Sequence, residues 1–178
     1  MVETRRADET IVDLSGTDMV VLGMSGAYPE GVLGGRMADL LRERLPLGIR
    51  VLVSSGLDRE FSEIDGVSHL LVIDSVDIGR PPGTVVLWDG ETLTPCVAQA
   101  MFREIALVHH LVLAGMHADA PEEIALLAVQ PAGGAGEQLS PEVEAALPAL
   151  VEEAVAVVTA WVDPTAPGPS HRERPPGC

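Results

Sequence analysis

The chain has 178 residues, 47% of them hydrophobic, with a net charge of −16 and a mean hydropathy of +0.26. That length fits one domain, and the apolar content excludes a natively disordered chain. The negative charge argues against nucleic acid or an anionic membrane as the main partner, and fits a basic surface, a cation, or plain solubility. Two cysteines, Cys96 and Cys178, exclude a disulfide framework and make a reducing cytoplasm the expected location.

Residues 1–17 are polar and charged and are expected as a flexible arm without the apolar core of a signal peptide. "MVVLGM" at 19–24 is a continuous apolar run ended by Ser25 and Gly26, and reads as a buried strand. A glycine-dotted loop follows and carries one acid, Glu30. From Val32 to Leu45 apolar residues recur at helical spacing until Pro46 and Gly48 stop the pattern. "IRVLVS" at 49–54 is a second strand, "GLDREFSEID" at 56–65 a weaker helical piece, and "HLLVID" at 69–74 a third strand. "RPPGT" turns the chain into a fourth strand, "VVLWDG" at 85–90.

Thr94-Pro95 opens a helix expected to run to about Ala114, since threonine caps and proline suits the first helical position. Residues 121–129 hold a further strand. Ser140-Pro141-Glu142 starts the last helix, which runs to about Trp161. Residues 163–178 are rich in Pro and Gly and are expected to be disordered, leaving residues 18–162 as the single domain. No uninterrupted apolar run approaches the ~20 residues of a membrane span. Continuous apolar strands alternating with helices predict a three-layer α/β fold. It would have a mainly parallel, twisted sheet of about five strands, flanked by helices on both faces.

Ligands of such sheets sit beyond the carboxyl ends of the strands. Glu30 and Asp74 both follow strands and are expected at that edge. Two facing carboxylates repel each other unless a proton or a divalent cation intervenes, and carboxylate oxygens are competent metal ligands. Taken singly, Glu30 also reads as a solvated loop acid or a partner for a helix N-terminus, and Asp74 as a turn aspartate. Asp77 reads as a turn residue. Cys96 lies in a helix's first turn, where thiolate is favoured, and reads equally as a small buried hydrophobe. His109 and His110 point about 100° apart on a helix, and His109 lies roughly 20 Å from Cys96, so neither a histidine pair nor a thiol–imidazole dyad forms. A glycine loop that presents an acid is also a poor pyrophosphate cradle.

The pieces "VVLGMSGAYPEGVLGGRMADLL", "HLLVIDSVDIGRPPGTVVLWDG", "PEEIALLAVQP" and "LSPEVEAALPALVEEAV" resemble the hydrogenase maturation endopeptidases over about residues 19–162. These enzymes clip a C-terminal extension from the large subunit of nickel–iron hydrogenases after nickel insertion. The resemblance implies that Glu30 and Asp74 bind metal. It places a third ligand at Cys96, where Thr94-Pro95-Cys96 stands for the family's Ser-Pro-His. It further implies that the metal is nickel supplied by the substrate, that the partner is the large-subunit precursor, and that no organic cofactor is needed. It names no catalytic residue for attack on the amide. A non-catalytic chaperone for the precursor and a small-molecule-binding α/β protein are the alternatives.

Overall fold

The computed structural model describes residues 18–26, 30–54, 64, 66–90, 92–93, 121–133 and 138–172. Five strands, β1 (Met19–Met24), β2 (Arg50–Ser54), β3 (His69–Ser75), β4 (Val85–Asp89) and β5 (Glu123–Val129), form one sheet in the order β2-β1-β3-β5-β4. β1 pairs in parallel with β2 and β3, and β3 with β5, while β4 runs antiparallel to β5 at one edge. β1, β3 and β5 are flanked on both sides. Their side chains are buried on both faces, which is why they read as unbroken apolar runs rather than alternating ones.

Two helices, α1 (Leu33–Arg42) and α2 (Pro141–Val162), pack on one face. Leu33, Met37 and Leu41 of α1 and Val143, Leu147, Leu150, Ala154 and Val158 of α2 meet Val21, Leu71, Ile73 and Leu127 from the sheet. α2 is long and apolar enough to cross a membrane by length and composition alone. Here its apolar stripe is part of the core instead. The other face is also buried, with Val20, Leu22, Leu70, Val72 and Leu126 packed with Ile64, Val67, Val76 and Leu93.

The α1 and β1 backbones press together where both carry glycine. A Cβ on Gly23 would come within 2.6 Å of the Gly34 carbonyl oxygen. α1 ends at Arg42, three residues before the periodicity does, because the Arg44 N–H turns back to the Leu41 carbonyl in a tighter last turn ahead of Pro46. Residues 1–17, nearly all of 56–65 and the helix expected from Thr94 to Ala114, including Cys96, His109 and His110, lie outside the described residues.

Part of the segment that composition marks as disordered is placed on the sheet. Glu153 of α2 is buried, and its carboxylate accepts from the Ser170 N–H at 2.9 Å, the His171 N–H at 3.0 Å and the Ser170 hydroxyl, with His171 Nδ1 at 2.6 Å. The Leu87 N–H donates to the His171 carbonyl at 3.0 Å, and Arg172 bridges in parallel to Leu87 and pairs with Asp89 at 2.6 Å. Residues 170–172 thus lie along the outer edge of β4. The anchor is a carboxylate 17 positions away on another element, which a reading by local composition does not see.

Candidate functional site

β1, β2, β3 and β5 all end at one rim. The register Gly23↔Ile73 sets Asp74, next to last in β3, level with Met24 at the end of β1. Glu30 stands in the loop that leaves β1, three residues before α1. The structure therefore brings the two predicted acids to the same end of adjacent strands.

Glu30 is not a solvated loop acid. It is 4% exposed, and its Oε2 accepts from the Ser140 N–H at 2.8 Å. Ser140 is the N-cap of α2, its hydroxyl accepting from the Val143 N–H at 3.3 Å. The carboxylate therefore rests at the positive end of α2, not of the helix that follows it in the chain. Oε1 accepts no hydrogen bond among the described residues. A buried carboxylate oxygen without a donor is costly, and a cation would relieve that cost.

Glu30 has φ 67°, and among the described residues it is the single non-glycine with a positive φ. A left-handed glutamate costs of order 1 kcal/mol or more, and strain of this kind gathers at functional sites. The loop is held in this shape by the Leu33 N–H on the Glu30 carbonyl at 2.8 Å and the Gly26 N–H on the Gly31 carbonyl at 3.1 Å.

Asp74 approaches the rim from the other side of the sheet. Leu71 and Ile73 face α1 and α2, so alternation turns Asp74 to the face of Leu70 and Val72. Its Oδ1 accepts from the Ser75 N–H at 2.7 Å. Among the described residues no three His, Cys, Asp or Glu side chains form a group that could hold a metal. The third candidate, Cys96, lies outside those residues.

Gln130 stands just past the end of β5, in the piece "PEEIALLAVQP", where the sequence alone assigns it no role. It follows β5 directly and is 7% exposed. Its side-chain carbonyl accepts from the Ile78 N–H at 2.8 Å and the Arg80 N–H at 3.1 Å. Its amide donates to Asp77 Oδ1 at 3.3 Å and to the Pro131 carbonyl at 3.2 Å. Its backbone N–H donates to the Thr84 carbonyl, and its carbonyl accepts from the Gly83 N–H. Gly83, at φ 78°, lies so close to α2 that a Cβ would stand 2.7 Å from the Glu142 carbonyl oxygen. The rim is thus continuous: Glu30 to the α2 N-terminus, then the Pro-Gly-Thr turn, then Gln130, then the loop that leaves Asp74. A polar residue immediately after the apolar run Ile124–Val129 was the available signal.

The sequence profile of the hydrogenase maturation proteases (HycI) matches residues 57–157, more than half of the chain. No curated protein matches the chain by sequence. Among solved structures the fold is similar to the hydrogenase maturating endopeptidase HybD from Escherichia coli. That match has a TM-score of 0.65 at 18% identity and covers 82% of this chain and 94% of that one. An endopeptidase from Escherichia coli aligns with a TM-score of 0.67 at 20% identity, over 80% and 94% of the two chains. The nickel–iron hydrogenase maturation protease HybD from Thermococcus kodakarensis aligns with a TM-score of 0.56 at 20% identity, over 78% and 97%.

Proposed function

The chain belongs to the hydrogenase maturation protease family and is thus an endopeptidase; from that premise we propose that its substrate is the large-subunit precursor of a nickel–iron hydrogenase, from which it removes the C-terminal extension once nickel is in place. Glu30 and Asp74 supply oxygen ligands to the substrate's nickel, with Cys96 as the third ligand, and the reaction takes place in the cytoplasm. The observation that carries this reading is Glu30. It is an acid kept buried and left-handed at the strand rim, with one carboxylate oxygen tied to the α2 N-terminus and the other without a donor among the described residues. Such an oxygen suits a cation and repels phosphate.

On this reading the protein recognises the metal together with a docked subunit surface. A metal ion held there by Glu30 and Asp74 would polarise a nearby carbonyl or water, one route to amide hydrolysis.

The test is incubation of the purified full chain with nickel-loaded precursor. A shortened large subunit is expected, and Glu30→Ala and Asp74→Ala should each abolish it. An intact precursor that stays bound to the wild-type chain would overturn cleavage in favour of a chaperone role, which the Cys96 substitution for the family's histidine also fits. Wild-type rates in either variant would remove that residue from the site.

A further inference from the structure

We propose that Gln130 is a positioning residue for the cleavage reaction, its side-chain amide holding the loop after Asp74 so that Asp77 is kept turned into that loop and Asp74 alone serves the rim. The proposal rests on the peptidase reading above.

The β3–β5 ladder runs out at Ser75↔Val129, followed by one more bond from the Val76 N–H to the Val129 carbonyl. Beyond that point the chain leaves the sheet, and the Ile78 and Arg80 amides have no strand opposite them. Gln130 Oε1 accepts from both, replacing the missing strand with a single carbonyl.

The other end of the same amide does a different task. Asp77 lies three residues beyond Asp74, and a second carboxylate so close would compete for any cation Asp74 holds. Gln130 Nε2 donates to Asp77 Oδ1 at 3.3 Å, and the Gly79 N–H donates to the same oxygen at 3.1 Å, so this carboxylate is used inside the loop. An amide side chain offers, on two separate atoms, an acceptor for two N–H groups and a donor for a carboxylate. A glutamate keeps the acceptors and loses the donor; a leucine loses both.

The experiment compares the full-length wild type with Gln130→Glu, Gln130→Leu and the double change Gln130→Glu with Asp77→Asn. It measures steady-state cleavage of nickel-loaded precursor and hydrogen exchange over residues 76–80. In Gln130→Glu two carboxylates face each other, and kcat should fall about tenfold or more while KM stays within about threefold, as for a misoriented reacting group. Exchange over 76–80 should rise in Gln130→Leu. Adding Asp77→Asn to Gln130→Glu removes the facing negative charge while the side-chain carbonyl at position 77 still accepts from the Gly79 N–H, and should raise kcat above that of Gln130→Glu.

An unchanged kcat in Gln130→Glu, or no gain in kcat when Asp77→Asn is added to it while wild type cleaves, would overturn the positioning role alone. A wild type that leaves the precursor intact, with normal exchange protection over 76–80, would overturn the peptidase reading and the role that rests on it. If Gln130→Leu does not fold, Gln130→Glu and its rescue still decide the matter.

Discussion

Glu30 combines three costs at one residue: a left-handed backbone, a buried carboxylate and a single donor among the described residues. Glu30→Ala leaves the Ser140 N–H without its acceptor and keeps a Cβ at φ 67°, so unfolding free energy should drop by about 1–3 kcal/mol in denaturant titrations. Glu30→Gly loses the same hydrogen bond but relieves the backbone, and should unfold at a higher denaturant concentration than Glu30→Ala. Both should be inactive. That Glu30 and Asp74 fall toward one end of the sheet was legible, because β1 and β3 are parallel; that Asp74 is still within β3 and turned to the face away from α2 was not. The burial of Glu30 was not legible. Its partner, Ser140, is 110 positions away, and only the packing of α2 brings the two together.

At the scale of elements, the strands were the clearest part of the sequence because burial on both faces leaves no room for polar alternation. The apolar run 19–24 matches β1 at Met19–Met24, and β5 begins at Glu123, two residues inside the run 121–129. Helix ends were less legible, since α1 closes through a local hydrogen bond that periodicity does not encode. Gly34, inside α1, brings that helix against β1, where its added Cβ would lie 2.6 Å from the Gly23 carbonyl carbon. Gly34→Ala should force α1 away from the sheet and cost about 1–3 kcal/mol by overpacking, measurable as a lowered midpoint in chemical unfolding. The two ion pairs that join the helices, Arg36–Glu144 at 3.1 Å and Arg44–Glu152 at 2.8 Å, have half-exposed side chains and cannot offset that loss.

For the whole molecule, acid stability should depend on the buried anchor of the C-terminal segment. Burial works to raise the Glu153 carboxyl, but hydrogen bonds from Ser170 and His171 outweigh it and hold the group below its ordinary value of 4.5. A depressed carboxyl contributes stability that is complete above the unfolded value and is lost as pH falls through the lower folded one. Thermal melting of the wild type should therefore fall below about pH 4. Glu153→Gln should be less stable at neutral pH and should flatten that part of the profile. Because β4 is the last strand on its side of the sheet among the described residues, residues 170–172 also occupy backbone positions that a foreign strand could take. A chain cut after Val162 is accordingly expected to self-associate along this seam, appearing in sedimentation as a concentration-dependent dimer.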